Sequence, residues 1–293
     1  MVALTGSMIA LSLASHIKRA DGSFSTLHTL VAGVSLGGIG VWAAHFIGMM
    51  ALKLDMANSY ALVETGLSMV IVIAASSLAL GFVARGPKQM NRKILAGSVL
   101  GLSVATMHYV GMYGMRFGGY IDWDYAYIAT SIVIAVVAAT VALHLSFQST
   151  TPMQRFGSAG LMAAAISAMH YTGMYGMRFG GYIDWDYAYI ATSIVIVVVA
   201  ATVALHLSFQ STTAMQRFGS AGLMAAAISA MHYTGMAAAN FVCTTENRTA
   251  FQRGFGYVTA FEVPSLVTVA VVSMLTFGII LLMFQPLQSN RRG

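Results

Sequence analysis

The sequence Met169-His170-Tyr171-Thr172-Gly173-Met174 recurs as Met231-His232-Tyr233-Thr234-Gly235-Met236, at the same place in a second copy of a longer segment. Residues 113–174 and 175–236 are nearly identical, and they differ at Ala135/Val197 and Pro152/Ala214. A related hexapeptide begins at Met107 and a weaker one at Ala44. Because a repeat of this length fixes the architecture of a chain, we expect tandem copies of one structural unit.

The composition indicates that these units lie in a lipid bilayer. Hydrophobic residues make up 58% of the 293 residues and charged residues only 8%, whereas about a quarter of an average soluble domain is charged. Mean hydropathy is +0.76. The formal net charge is +6, but the basic residues stand at the ends of apolar runs and form no basic, aromatic patch. This pattern is typical of membrane topology and does not indicate nucleic-acid binding.

Nine apolar runs approach the length of about 20 residues that a membrane-spanning helix needs. They are Val2–Ile17, Leu30–Leu52, Leu62–Ala84, Ile94–Met115, Tyr125–Phe147, Gly157–Met177, Tyr187–Phe209, Gly219–Phe241 and Phe261–Phe284. The predicted fold is therefore all-α: a polytopic transmembrane bundle of about nine helices, built from repeated helical hairpins within one membrane-embedded domain, residues 1–293. Each unit crosses the membrane twice, so every motif should lie at the same end of the bundle.

The charges of the loops predict which end faces the cytoplasm. One set of alternate loops holds ten basic residues: Lys18, Arg19, Arg85, Lys88, Arg92, Lys93, Arg155, Arg217, Arg291 and Arg292. The other set holds five: Lys53, Arg116, Arg178, Arg248 and Arg253. Since basic residues accumulate on the cytoplasmic side, we expect the N-terminus and the motifs outside and the C-terminus in the cytoplasm.

The motif carries residue types that bind a soft metal. His108, Met112 and Met115 stand at i, i+4 and i+7, which is one face of an α-helix. The predicted ligand set over all copies is His45, Met49, His108, Met112, Met115, His170, Met174, Met177, His232 and Met236. Imidazole and thioether together suit copper, and thioether favours the cuprous ion. A single His–Met pair is more often packing, but four copies at one depth favour a metal or ligand site.

Other features narrow the class of protein. The sequence has no phosphate-binding loop, nucleophile elbow or zinc-protease His-Glu-x-x-His motif, so we expect no enzymatic activity. The single cysteine, Cys243, excludes an intrachain disulfide. The motif residues Tyr171 and Thr172 are either hydrogen-bond partners of the ligands or anchors at the membrane surface.

At these residues the sequence resembles the MHYT-domain family of bacterial integral membrane sensors, and the resemblance covers almost the whole chain. It implies a multi-pass protein of the bacterial cytoplasmic membrane. It also implies bound copper and a diatomic gas ligand, either oxygen, carbon monoxide or nitric oxide. Many family members continue into a cytoplasmic domain of cyclic di-GMP synthesis or degradation.

The chain departs from the family pattern in several positions. It has a fourth motif, Ala44 and Phe46 replace Met and Tyr in the first copy, and Val110 replaces Thr in the second. We also expect no output domain, so that a signal would leave through a cytoplasmic or membrane partner. Two alternatives to a sensor remain at this stage: a copper-handling or copper-transporting protein, and a structural membrane subunit without a ligand.

Overall fold

The computed structural model of the chain describes residues 2–14, 16–19, 21–54, 56–86, 89–118, 121–148, 151–210, 214–244, 246 and 251–283. Four of the basic residues used to predict the orientation, Lys88, Arg248, Arg291 and Arg292, lie outside these ranges. So does Phe284, the predicted end of the last span.

The described part of the chain forms nine successive helical segments, as the apolar runs predict. The first is α1 (Val2–Ala14), and the second runs through α2 (Thr26–Gly33), a π-helix (Val34–Ala43), α3 (Ala44–Gly48) and a 3₁₀ turn (Met49–Ala51). The others are α4 (Leu62–Arg85), α5 (Met90–Tyr113), α6 (Tyr125–Gln148), α7 (Pro152–Tyr175), α8 (Tyr187–Gln210), α9 (Ala214–Ala237) and α10 (Val263–Met283).

Several of these helices have the length and composition of membrane spans. Within the described residues, five segments are long and apolar enough to cross a bilayer: Thr26–Ala51, Leu62–Arg85, Met90–Tyr113, Tyr125–Leu145 and Val263–Leu281. A helix satisfies its own backbone hydrogen bonds, which is why apolar sequences of this length can cross lipid. The chain is therefore a multi-pass membrane protein.

Glycines bring consecutive helices into close contact. A Cβ atom added at Gly97 or Gly101 of α5 would lie 2.4 Å from Thr140 Cα or 2.5 Å from the Ala135 carbonyl oxygen of α6. A Cβ at Gly37 would lie 2.5 Å from the Val72 carbonyl oxygen of α4. Helices in membranes associate through such small residues, because lipid gives apolar side chains little reason to leave it.

The prediction of an all-α fold is incomplete, because short strands join the helices at the motif end of the bundle. They are β1 (Lys53–Leu54), β2 (Asn58–Ala61), β3 (Met115–Phe117), β4 (Ile121–Trp123), β5 (Met177–Phe179), β6 (Gly181–Trp185), β7 (Ala239–Cys243) and β8 (Tyr257–Thr259). Strands this short give little periodic signal in a sequence. We call this end of the molecule the strand end.

The strands pair from each unit to the next. The second strand of one unit is antiparallel to the first strand of the following unit, in the pairs β2–β3, β4–β5 and β6–β7. β1 of the first unit then pairs in parallel with β7 of the last. The pairing of β1 with β7 closes the chain of units into a ring. This arrangement also gives the loop backbones hydrogen-bond partners where the helices end.

Candidate metal centre

The four motif histidines, which lie far apart in the sequence, meet in one cluster at the strand end. The ring centroid of His45 lies 5.1 Å from that of His108 and 5.6 Å from that of His232, and the His170 and His232 centroids are 5.2 Å apart. The imidazoles therefore form a row in the order His108, His45, His232, His170. We call this row the histidine cluster.

Two motif glycines, Gly48 and Gly235, make room for these rings, whereas Gly111 faces Phe46. A Cβ atom at Gly235 would lie 2.9 Å from His170 Nε2, and one at Gly173 would lie 3.8 Å from His108 Nε2. In both cases the glycine of one unit faces the histidine of the preceding unit.

Gly48 continues this pattern across the ring closure. A Cβ at Gly48 would lie 2.0 Å from Cδ2 and 2.4 Å from Nε2 of His232, so the first unit receives the imidazole of the last. The first and last units therefore meet at the cluster, as they do through β1 and β7.

The six predicted methionine ligands all lie inside the molecule beside this cluster. Met49, Met112, Met115, Met174, Met177 and Met236 are buried members of one hydrophobic core. That core also contains Trp42, Phe46 and Cys243. The structure therefore brings the thioethers of four separate units into one apolar region.

The prediction that Met115 and Met177 continue the helical face of their histidines is wrong. Helices α5 and α7 end at Tyr113 and Tyr175, and both methionines begin strands, β3 and β5. Pairing with the preceding unit draws the backbone out of the helix: Met115 stands opposite Tyr60, and Met177 opposite Trp123. Both side chains nevertheless point into the core, at 2% and 5% exposure.

The donor atoms of the cluster fit a soft metal ion. Nε2 of His45, of His170 and of His232 is buried without a hydrogen-bond partner, although buried polar atoms are normally paired. Within the described residues, no three His, Cys, Asp or Glu side chains are already arranged to hold a metal. The imidazole nitrogens, together with the thioether sulfurs of the apolar core, make a mixed donor set of the kind that is typical of cuprous copper.

Hydrogen bonds from the motif tyrosines hold two of the motif helices in place. Tyr109 and Tyr171 hydrogen-bond the hydroxyls of Ser131 and Ser193 in the returning helices. In the first unit Phe46 has no hydroxyl, and Trp42 Nε1 donates to Ser68 Oγ instead, at 3.1 Å. In these three units Trp42, Tyr109 or Tyr171 thus bonds the returning helix and fixes the helix that carries the imidazole.

The same aromatic residue packs on a ring from the following strand. Phe46 lies 5.9 Å from Tyr60, Tyr109 lies 5.6 Å from Trp123, and Tyr171 lies 6.0 Å from Trp185, measured between ring centroids. The second aromatic stands at the same distance along the chain in these three units, so in each of them the strand is tied to its own motif.

Ion pairs join neighbouring units at the strand end. Arg116 binds Glu64 at 2.8 Å and Arg178 binds Asp124 at 2.9 Å, in each case linking a unit to the one before it. The hydrogen bond from Arg178 lowers the pKa of the Asp124 carboxyl. Because these pairs are partly exposed, they contribute little to stability, and they serve mainly to set the register of the strands.

The sequence singles out the four motif histidines, which the structure brings together, but it does not indicate the residues that position their rings. Gly48 receives the ring of His232, a role that its position in the motif does not reveal. Trp42 was not singled out. The available signal for Trp42 is that the first motif lacks a tyrosine. Trp42 bonds Ser68, the serine that corresponds to Ser131 of the second unit.

The repeated unit corresponds to a known family model. The MHYT model, described as a bacterial signalling protein N-terminal repeat, matches residues 38–97, 101–159, 164–221 and 226–291. These four matches follow the four motif-bearing units of the structure. No solved structure matches the chain.

Curated relatives are signalling proteins. The chain is 34% identical over 184 residues to the bifunctional diguanylate cyclase/cyclic di-GMP phosphodiesterase MucR of Pseudomonas aeruginosa. This match covers 61% of the chain and 27% of that protein. It is 31% identical over 186 residues to the signaling protein YkoW of Bacillus subtilis, covering 61% and 23%.

A third relative is the cyclic di-GMP phosphodiesterase NbdA of Pseudomonas aeruginosa, 37% identical over 143 residues, or 47% of this chain and 18% of that protein. The matches thus span 18–27% of the length of these relatives. With four family matches that together cover most of its length, the chain belongs to the MHYT family of bacterial signalling proteins.

Proposed function

We propose that this protein is a membrane sensor that binds copper in the histidine cluster and responds to a diatomic gas, either oxygen, carbon monoxide or nitric oxide, or to redox state. The observation that carries the proposal is the set of three buried Nε2 atoms without partners, on His45, His170 and His232. Six buried thioethers lie in the adjoining core. Copper, when bound, would supply a coordination position for the gas.

The residues of the chain have separate tasks in this proposal. The imidazoles and thioethers bind the metal, while the apolar core around them excludes water from it. The tyrosine–serine hydrogen bonds and the paired strands hold the four units in register. A change at the metal would therefore move whole units against one another, which is a way to transmit a signal along the helices.

We propose that the signal passes to a partner in cyclic di-GMP signalling, because relatives carry that activity in their names. Their match to this chain covers 27% and 18% of their length, so we assign no enzymatic activity to the matching segment. The copper-transport alternative needs polar or thioether groups at several depths. The predicted ligands here all belong to the strand end, which supports a fixed site.

Metal analysis of the purified chain tests the proposal directly. We expect about one copper ion or more per chain after loading under reducing conditions, and no comparable uptake of zinc, because thioether ligands favour the cuprous ion. Inductively coupled plasma mass spectrometry of protein loaded with equal copper and zinc measures both. Protein that takes up zinc as well as copper, or neither, would contradict the assignment of a copper site.

We further propose that the strand end faces the outside of the bacterial cytoplasmic membrane, with the N-terminus outside, nine crossings and the C-terminus in the cytoplasm. The excess of basic residues in the loops of the opposite end motivates this orientation. Green fluorescent protein fused after Gly293 should fluoresce, and alkaline phosphatase fused there should be inactive. Active phosphatase in that fusion would reverse the orientation.

A further inference from the structure

A second concave site lies next to the histidine cluster. It is a cavity of about 730 Å³ between the first unit and the segment that precedes α10. Its wall is formed by Phe46, Met49, Met50, Met56, Tyr60 and Phe261, and its rim includes Arg253. This volume falls in the range of roughly 300–1,000 Å³ that is typical of small-molecule pockets.

The wall of the cavity suits a flexible apolar chain. Three of its side chains are methionines, Met49, Met50 and Met56, whose unbranched thioethers adapt to the shape of a ligand. Leu52, Leu54 and Val263 add aliphatic surface. An occupant would therefore make mainly apolar contacts along most of its length.

The rim carries a positively charged side chain that attracts an anionic group. Arg253 is exposed, and its guanidinium lies 4.1 Å from the centre of the Phe251 ring, which holds it beside the cavity. Neither ion pair found among the described residues uses Arg253. An apolar cavity with one positively charged rim residue is complementary to an amphiphile with a negative head group.

The position of the rim favours a ligand that comes from the membrane surface. Phe255 and Phe261, in the segment that forms the rim, are almost fully exposed. Gly254 and Gly256 have φ of +99° and +91°, and this turn presents Phe255 outward. Exposed aromatic side chains near the ends of spanning helices are typical of the interface between lipid and water.

The rim segment is nevertheless firmly attached to the first unit. Leu62 N donates to the Gly256 carbonyl at 2.9 Å, and Ser59 Oγ donates to the Gln252 carbonyl at 2.6 Å. β8 also pairs with β2. The segment that carries Arg253 is therefore held against the first unit.

From these observations we propose that the cavity binds a single-chain anionic amphiphile of the fatty-acid type. Its carboxylate lies at Arg253 and its chain lies among Met49, Met50 and Met56. The proposal goes beyond copper sensing, since it assigns a second ligand to a second site. Met49 belongs to both the cavity wall and the motif of the first unit, so an occupied cavity would fix a proposed copper ligand.

Photolabelling of the whole chain in zwitterionic nanodiscs tests this site. The probes are a palmitic acid with a diazirine in its chain and the palmityl alcohol with the same diazirine. We expect the acid to label peptides within 46–60 and 251–264 about tenfold more strongly than the alcohol, because only the carboxylate forms a charge-assisted hydrogen bond with Arg253; tenfold corresponds to about 1.4 kcal/mol. The variant R253Q should bring labelling by the acid down to the level of the alcohol.

Two further variants and one further probe complete the experiment. R92Q removes a charge at the opposite end of the bundle and should leave labelling unchanged, whereas A57F should block the cavity to both probes. Equal labelling by acid and alcohol, label outside these peptides, or no effect of R253Q would overturn the proposal. Preferential labelling by a phosphatidylglycerol with the same photoreactive chain would assign the site to a two-chain lipid and would also overturn it. None of these outcomes depends on copper.

Discussion

Replacing Gly48 by alanine should reduce the copper affinity of the protein by about tenfold or more. The added methyl group would lie 2.0 Å from His232 Cδ2, a distance that no relaxed structure allows. His232 cannot simply rotate away, because its ring is packed between those of His45 and His170, at 5.6 and 5.2 Å. The imidazole must therefore leave its place in the cluster, or the first and last units must separate.

Gly66→Ala is the matched control for this substitution. Nothing lies within 4 Å of the position that its Cβ would take, and alanine favours a helix over glycine by roughly 1 kcal/mol. Thermal unfolding in detergent should show Gly48→Ala destabilised by about 1–3 kcal/mol, the usual cost of overpacking, with Gly66→Ala unchanged or more stable. Wild-type copper affinity in folded Gly48→Ala would show that contact between the first and last units does not shape the site.

The sequence repeat predicts the positions of the four histidines along the chain and at one end of the bundle. Because each unit crosses the membrane twice, His45, His108, His170 and His232 must share a depth, and the structure has them in one cluster. The family matches confirm the recognition of the repeat at all four units. The repeat length is sufficient for this prediction, because a unit that crosses the membrane twice gives every motif helix the same direction and every histidine the same depth.

The local path of the chain after each motif is not predictable from helical spacing. Met115 stands at the right interval from His108 for one helix face, yet it lies in a strand, because β2 of the preceding unit offers a pairing partner. That partner is distant in sequence, and a strand of three residues shows no clear alternation. Gly114 and Gly176, which end the helices, were the available local signals.

Ring closure is also absent from the sequence pattern. The contacts between Gly48 and His232 and between β1 and β7 join the first unit to the last. Every unit carries the same glycine, so no residue marks these two units as neighbours. The number of units that fit around the cluster decides the closure, and this number follows from how adjacent helices pack.

The largest expected effect on the metal comes from replacing His108, His170 and His232 together. With alanine at all three positions the protein should lose nearly all its copper, because only His45 remains of the imidazoles in the cluster. Single replacements would be less informative, since a neighbouring imidazole in the row or a water can take the vacant position. Copper content after loading and washing, measured per folded chain, gives the result.

Three alanines also leave empty space in the core, at a cost that can reach about 2–5 kcal/mol for each large side chain removed. The variant with leucine at the same three positions fills much of that space. It also removes the buried Nε2 atoms of His170 and His232, which have no hydrogen-bond partners, and such a change can be neutral or stabilising. It should therefore remain folded and still lack copper.

The control replaces His16 and His28, whose rings stack 5.8 Å apart between α1 and α2, and it should keep full copper content. If the leucine variant is folded and retains its copper, the metal is bound elsewhere, and the histidine cluster is a packing feature of the repeated units.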